Sequence, residues 1–347
     1  MKTGLFTFSF ILLSSLLSGQ NQNLSQGSVF DGEPYISIDP GNSQHMVVAW
    51  MGYSFLNQVV IKTSVSFDAG QTWSSKVNIT HTNSSYTSAD PSLEFDGNGN
   101  VFLSYIDYSP VVDSGYVYIR KSIDGGLSWG SPVPVIGMHS DPGKRALDRP
   151  WITIDRTGGQ NDGNIYVTTM NASTMTAVSP PYNPYFIRST DGGATFDPWT
   201  YLDTAGWLAG MFINNPMPTP AISSNGVFHA VYPSYVPAQN AAPQLIIASS
   251  VNGGNNFSYN SVFSTTNFFS DTLAKKAGLL KSNPVDSNHL AFISLGVDYG
   301  DSDVFLRESF DAGQNWSAPL RINDDPIANN RMQDLVWADF DIDGDLP

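Results

Sequence analysis

The sequence predicts an all-β protein built from repeated four-stranded antiparallel sheets. An octapeptide of the pattern Ser-x-Asp-x-Gly-x-x-Trp occurs with small variations five times, first as SFDAGQTW at 66–73 and last as SFDAGQNW at 309–316. Runs of alternating apolar residues, which are typical of strands, flank the copies. The chain also has 30 Gly and 22 Pro but only 14% charged residues, a composition typical of short strands joined by tight turns.

The repeats have a period of about sixty residues. The intermediate copies are SIDGGLSW (122–129), STDGGATF (189–196) and SVNGGNNF (250–257), and successive copies begin 56 to 67 residues apart. Each unit starts with a short apolar run and an Asp/Gly/Asn turn, followed by two more apolar runs and the octapeptide. This order predicts strand a, tight turn, strand b, longer loop, strand c, octapeptide turn and strand d, which is one four-stranded sheet.

The octapeptide has the chemistry of a hairpin turn. The glycine at its fifth position allows the backbone conformation that a tight turn needs. The carboxylate at its third position can accept hydrogen bonds from turn amides and hydroxyls, and its final aromatic residue can pack into the next sheet. The repeated octapeptide is therefore predicted to be scaffold and not the functional site.

These octapeptides resemble the Asp box, or BNR repeat, of the sialidase superfamily. The resemblance covers nearly all of the chain after residue 20, with Asn252 in place of Asp and with Phe196 and Phe257 in place of Trp. It implies a β-propeller in which each repeat is one blade. Because ADFDIDGDL (338–346) aligns with LEFDGNGNV (93–101) of the second unit, we expect a six-bladed propeller whose sixth blade is truncated.

The first twenty residues read as a secretory signal peptide. One Lys precedes an apolar run from Leu5 to Leu17, which is too short to span a bilayer, and we expect cleavage between Ser18 and Asn23. The propeller then covers 21–347, with no membrane span after cleavage. The absence of cysteine suits an exported bacterial protein, so we expect a secreted or cell-surface location.

The net charge of the chain restricts the kinds of molecule that it can bind. The formal net charge is −15, and 28 Asp stand against three Glu. Such a field repels phosphate backbones, so nucleic acid is excluded as a partner. We expect a monomer that acts on an extracellular glycan or glycoconjugate.

One stretch near the C-terminus has the spacing of a metal-binding loop. Residues Asp339, Asp341, Asp343 and Asp345 match the start of an EF-hand loop. The alignment with the ordinary turn of the second unit favours a structural role instead. We expect no metal and no cofactor, with calcium at this stretch as the alternative.

The resemblance places the pocket on the face opposite the octapeptides, where strands a begin and strands b end. There Asp148 and Arg149 precede Pro150, so one of the two should face the central pit, with an ion pair between blades as the alternative. Aromatic side chains with carboxylates at strand ends suit a sugar. The predicted catalytic residues are Asp107, Asp148, Arg149, Arg331 and Tyr232, and the predicted substrate-binding residues are Trp50, Asp90, Arg145 and Tyr235.

Three functions are open at this point. The resemblance implies an exo-α-sialidase with three arginines on the substrate carboxylate, a Tyr nucleophile assisted by a Glu, and an Asp acid/base. Only Arg145, Arg149 and Arg331 remain for such a triad, and only Glu33 for the glutamate. The second possibility is a hydrolase of neutral glycans that uses two carboxylates, such as Asp107 and Asp148. The third is a non-catalytic propeller that binds glycan or protein through its aromatic rim.

Overall fold

The fold is a β-propeller of five four-stranded antiparallel sheets, each with its strands in chain order. The computed structural model describes residues 22–27, 30–54, 58–145, 147–171, 178–203, 216–236, 242–264, 278–334 and 336–346. No helix occurs in these ranges, and hence none that is long and apolar enough to cross a membrane. The predicted signal peptide lies outside the described residues.

The first three blades hold twelve of the twenty strands. Blade 1 consists of β1 (Asp31–Asp39), β2 (Asn42–Tyr53), β3 (Val59–Ser66) and β4 (Val77–Asn78). Blade 2 consists of β5 (Thr87–Phe95), β6 (Val101–Tyr108), β7 (Gly115–Ser122) and β8 (Val133–Gly137). Blade 3 consists of β9 (Leu147–Ile154), β10 (Ile165–Asn171), β11 (Tyr185–Ser189) and β12 (Thr200–Tyr201).

The remaining strands form two further blades of the same order. Blade 4 consists of β13 (Thr219–Ile222), β14 (Phe228–Ser234), β15 (Gln244–Ser250) and β16 (Ser258–Ser264). Blade 5 consists of β17 (Gly278–Ser282), β18 (Leu290–Gly296), β19 (Asp303–Ser309) and β20 (Leu320–Arg321). The first strands of neighbouring blades contact one another: β1 contacts β5, β5 contacts β9, β9 contacts β13 and β13 contacts β17. The first strand of each blade is therefore the inner one.

The core lies between neighbouring blades. Phe102 and Ile106 of blade 2 pack against Ile152 and Val167 of blade 3, and similar clusters join the other pairs. The inner strands are also bridged by side chains, since Ser92 Oγ accepts the backbone N–H of Ile152 at 3.2 Å. Because strand residues alternate between two faces, period-two apolar runs supply both sides of these inter-blade cores.

The octapeptides form the predicted hairpins between the third and fourth strands. In blade 1, Ser66 Oγ and the Thr72 backbone N–H both donate to Asp68 Oδ1 at 2.8 Å. Gly70, with φ of 81°, donates its N–H to Ser66 Oγ at 2.8 Å. Asn252 makes the same bond in blade 4, where it accepts the Asn256 N–H at 3.0 Å. The scaffold role is therefore confirmed, and Asn replaces Asp because only its oxygen is needed.

The prediction of six blades is wrong, because the described residues form five. Residues 336–346 do keep the turn of an inner strand: the Asp341 N–H donates to Asp345 O at 2.9 Å, as Asp96 does to Asn100 in blade 2. They pair with no neighbouring strand, so no sixth sheet forms among the described residues. The sequence alignment identified the turn correctly, but a turn alone does not make a blade.

This C-terminal segment, residues 336–346, packs against β17 and β18 of blade 5. Phe340 packs on Ala291 and Ile293 of β18. Asn283 Nδ2 donates to Gly344 O at 2.9 Å, and the Lys281 ammonium lies 2.7 Å from the Asp339 carboxylate. The segment is thus attached to blade 5 by apolar, hydrogen-bond and ionic contacts.

Replacing Phe340 by Ala should lower the free energy of unfolding by about 3 kcal/mol, because truncating a packed aromatic ring leaves a cavity. Ile342→Ala in the same segment is the control, since Ile342 is 80% exposed. Its effect should stay below about 0.5 kcal/mol. Urea unfolding measures both variants, and equal effects would show that the segment does not dock on blade 5.

Candidate functional site

Three successive inner strands share an unusual backbone feature at the end opposite the octapeptide hairpins. Glu33, Asp90 and Arg149 have φ of 48°, 54° and 51°, in the left-handed region that non-glycine residues rarely occupy. Each directly precedes a proline. The strand register shifts at all three positions, which is the mark of a β-bulge. Bulges re-aim side chains and are frequent beside active sites, so the same strain in three blades indicates a functional position.

The bulges bring three carboxyl groups together. The backbone N–H of Arg149 donates to Asp90 Oδ2 at 2.9 Å. The side chains of Glu33 and Asp148 lie next to the Asp90 carboxyl. Ionised carboxylates this close repel each other, so the carboxyl cluster of Glu33, Asp90 and Asp148 favours retention of a proton.

Asp90 retains its proton more strongly than an ordinary aspartate does. Burial raises its pKa, and the negative charge of Glu33 raises it further, to about 6. Asp148 and the hydrogen bond from the Arg149 N–H act to lower the pKa of Asp90, but they do not outweigh burial. A carboxylic acid with a pKa of about 6 is the kind of group that acid/base catalysis requires near neutral pH.

Tyr108 and Arg149 supply donors at the cluster. Burial raises the pKa of the Tyr108 phenol, as do the charges of Asp90, Asp148 and Glu33, so the phenol stays protonated. The Nε of Arg149 is buried and makes no hydrogen bond to the described residues. The site therefore combines carboxyl groups with a hydroxyl donor and a guanidinium group.

An aromatic cluster lies two residues further along the inner strands, about 7 Å towards the hairpin end. The rings of Tyr35 and Trp151 have centroids 5.5 Å apart, and Trp337 of the C-terminal segment lies 4.9 Å from Tyr35 and 6.4 Å from Trp151. The ammonium of Lys281 is 5.2 Å from the Trp337 centroid. Aromatic rings from β1, β9 and the C-terminal segment thus meet below the carboxyl cluster.

Asp107, a predicted catalytic residue, lies in a separate buried network. Its carboxylate accepts hydrogen bonds from His81 Nδ1 at 2.7 Å, from the Thr82 N–H and hydroxyl at 2.6 Å each, and from Ser88 Oγ at 3.0 Å. Burial acts to raise the pKa of Asp107, but the bonds from His81 and Thr82 outweigh it and hold this pKa below its ordinary value. The structure does not join Asp107 to Asp148, and the oxygens of Asp107 are occupied in fixing the loop before β5.

Tyr232 and Asp203 form another buried pair, between blades 3 and 4. Tyr232 is 1% exposed, and burial together with the charge of Asp203 holds its pKa well above the ordinary value. Burial likewise raises the pKa of Asp203 to about 7. A phenol in this environment is neutral, which does not suit it to act as a nucleophile.

The other predicted residues lie apart from the carboxyl cluster. Trp50 is 4% exposed and donates its indole N–H to Asp31 at 3.0 Å, as a packing residue does. Tyr235 packs on the core between blades 4 and 5. Arg145 and Arg331 are exposed. Of the nine predicted site residues, the structure brings Asp90, Asp148 and Arg149 together.

Sequence reasoning also missed a role for His81, which follows strand d of blade 1 with no motif to mark it. For metal binding, the described ranges contain no group of acidic or histidine side chains placed to hold an ion. In the EF-hand-like stretch, Asp341 Oδ1 accepts the N–H groups of Asp343 at 3.0 Å and Asp345 at 2.8 Å. Asp96 Oδ1 does the same in blade 2.

The fold is shared with solved propeller glycoside hydrolases. An α-L-arabinofuranosidase of Fusarium graminearum superimposes with a TM-score of 0.56 and 16% identity, covering 82% of this chain and 79% of that one. The α-L-arabinanase of Penicillium chrysogenum gives 0.55 and 16% over the same fractions. A Hadza microbial sialidase gives 0.53 and 15%, covering 85% of this chain but 59% of the sialidase.

At this level of identity the likeness establishes the fold alone. No family profile and no curated protein matches the sequence. The expected likeness to sialidase-type propellers is confirmed as a shared fold, and the fold is one that carries carbohydrate-active enzymes.

Replacing Asp90 by Asn should remove a pH-dependent loss of stability. The ordinary pKa of 3.8 is raised to about 6 on folding, so the unfolded chain loses this proton first as the pH rises. The wild type should therefore lose on the order of 2–3 kcal/mol between pH 4 and pH 7 from this group, whereas Asp90→Asn should not. Urea unfolding at both pH values measures the difference, and parallel pH dependences would contradict it.

Proposed function

We propose that the protein is a glycoside hydrolase that uses Asp90 as its acid and Glu33 or Asp148 as its second carboxylate. The observation that carries the proposal is the carboxyl cluster on three bulged inner strands. Neither the octapeptide hairpins nor the blade cores require bulges or neighbouring carboxyl groups at this end. Residues that are costly for the fold and placed at one point are best explained by chemistry.

The cleavage step follows from the two protonation states. Protonated Asp90 donates its proton to the glycosidic oxygen as the bond from that oxygen to the anomeric carbon breaks. The ionised carboxylate stabilises the positive charge that develops on the sugar ring. Water then adds to the anomeric carbon and gives up a proton to Asp90, which restores the acid and completes the hydrolysis.

The charge of the site favours a neutral glycan over a sialoside. Three carboxyl groups face a single guanidinium, that of Arg149, so a substrate carboxylate would be repelled. A sialidase would need three converging arginines, and Arg145 and Arg331 are exposed. The fold neighbours include an arabinofuranosidase and an arabinanase, so arabinose-containing glycans are the first substrates to assay.

A non-catalytic glycan-binding propeller is the second candidate. It is favoured by the aromatic cluster, since Tyr35, Trp151 and Trp337 could stack on a sugar without any chemistry. The indole N–H of Trp151 is buried and makes no hydrogen bond to the described residues. In this case the carboxyl groups would serve only to accept sugar hydroxyls. Loss of turnover without loss of binding in an Asp90 variant distinguishes the two functions.

Export is part of the proposal. The apolar run of residues 5–17 after Lys2 supports a signal peptide, and an extracellular location suits a polysaccharide substrate. N-terminal sequencing of protein recovered from the medium of an expressing bacterium tests this, and an intact Met1 would refute it.

Purified protein should hydrolyse an aryl α-L-arabinofuranoside or another neutral aryl glycoside, and it should not hydrolyse an aryl sialoside. Asp90→Asn should lower kcat by about 10²–10⁴-fold, because general acid catalysis is lost. The wild-type rate should fall as the pH rises above about 6, where Asp90 loses its proton.

The matched control is Asp298→Asn, at an exposed position on the same side of blade 5. Its kcat should stay within about twofold of wild type. Turnover of the sialoside, or an Asp90→Asn variant with unchanged kcat, would refute the proposal.

A further inference from the structure

Tyrosine side chains converge on the flank of blade 2, away from the carboxyl cluster. Tyr116 and Tyr118 lie on the same face of β7, with ring centroids 5.7 Å apart, and Tyr118 lies 6.1 Å from the buried ring of Tyr105. Tyr116 is 45% exposed. Tyr86, from the loop before β5, is half-buried and donates its hydroxyl to Ser114 Oγ at 2.9 Å. We call Tyr86, Tyr116 and Tyr118 the tyrosine platform.

The backbone beneath Tyr116 is shaped for its ring. Gly137 of β8 is the strand partner of Tyr116. A Cβ at position 137 would lie 2.7 Å from a ring carbon of Tyr116, closer than real Cβ contacts come. Glycine therefore allows this ring to lie against the sheet. A tyrosine ring supported from below and exposed above presents a flat apolar face to the solvent.

A polar loop borders the platform and is held in place from below. Residues 82–85 are exposed and carry three hydroxyl groups and one amide. Thr82 is bound through its N–H and its hydroxyl to the buried Asp107 at 2.6 Å each. Asn83 Oδ1 accepts the Ser85 N–H at 3.0 Å, and Gln58 Nε2 donates to the Ser84 carbonyl at 3.0 Å. The loop is thus ordered before any ligand arrives, which lowers the entropic cost of binding.

The platform lies at the same end of the propeller as the carboxyl cluster. In the sheet of blade 2, Tyr116 is paired with Asp107, and Asp107 is paired with Ser88, two residues before Asp90. β7 is two strands further out than β5, a lateral distance of about 10 Å. A glycan chain bound at the carboxyl cluster could therefore extend outwards across the platform.

We propose that the tyrosine platform is an accessory subsite that binds distal units of an uncharged oligosaccharide or polysaccharide. The inference rests on the proposed function for its direction, since the glycan would run outwards from the carboxyl cluster. Tyrosine rings stack on the apolar faces of sugars, and the hydroxyl and amide groups of residues 82–85 match sugar hydroxyls. The guanidinium of Arg120, the nearest cation on β7, is occupied by Tyr105 Oη and by the carbonyls of Gly130 and Thr80. Arg120 is therefore not free to bind an acidic glycan.

The buried network at Asp107 supports the tyrosine platform. That carboxylate fixes Thr82, and Thr82 lies next to the Tyr118 side chain. Asp107 and His81 thus act as positioning residues for this subsite and do not touch the sugar.

The test uses an array of neutral oligosaccharides to select the hexasaccharide that wild-type protein binds best. Calorimetry then gives Kd for that hexasaccharide and for its disaccharide. Tyr116→Ala should weaken hexasaccharide binding by about tenfold and leave disaccharide binding within about twofold. Tyr116→Phe should retain hexasaccharide affinity, because stacking needs the ring and not the hydroxyl.

Tyr299→Ala is the matched control, since Tyr299 is 47% exposed and also packs on a single ring, that of Phe305. It should leave hexasaccharide affinity within about twofold. Equal Kd values for the two alanine variants, equal weakening for both ligands, or no hexasaccharide binding by wild type would overturn the proposal.

The same titrations in an Asp90→Asn background separate the subsite from catalysis. A protein that binds the hexasaccharide through Tyr116 but hydrolyses no glycoside would refute the catalytic proposal and leave the subsite standing.

Discussion

The contact between the Arg149 backbone N–H and the Asp90 carboxyl joins blades 2 and 3 at the point on which the candidate site depends. It exists because both strands bulge there, each with a left-handed residue held before a proline. Without the bulges, alternation along a strand would point these side chains in other directions. Gathering Glu33, Asp90 and Asp148 is electrostatically unfavourable, and a retained proton is what relieves it.

The two ends of the propeller use the same residue type for opposite purposes. In the octapeptide of blade 3, hydrogen bonds from the Thr195 hydroxyl and N–H lower the pKa of Asp191 to about 2. Each octapeptide carboxylate with such donors is an acceptor that holds a turn. At the other end Asp90 is half-buried beside other carboxyl groups, and its pKa is raised to about 6. Environment alone thus shifts the pKa of one aspartate down and that of the other up.

Much of the fold could be predicted from the sequence, because local sequence patterns determine its strands and turns. The glycine of each octapeptide, the Asp or Asn two positions before it, and the alternating runs fix hairpins and strands without long-range information. The blade count could not be predicted, since the turn at Asp341 is local whereas a sheet needs neighbouring strands. The rule that strands a begin at the end opposite the octapeptides predicted that Asp90, Asp148 and Arg149 lie at one end, and the structure brings these three together. The rule could not select Glu33 and Tyr108 from the other candidates at that end. Nor could it show that Trp50 is buried against Asp31, because the direction of side chains there depends on the register of the bulge.

Direct titration of Asp90 is the sharpest test of this account. Carbon-13 carboxyl resonances of aspartate-labelled protein, with Asp90 assigned by its absence in Asp90→Asn, report the protonation of that one group. A midpoint near pH 6 is the result that burial beside Glu33 requires. A midpoint at or below the ordinary aspartate value of about 4 would show that the three carboxyl groups do not share a proton, and the acid of the proposed hydrolase would be lost.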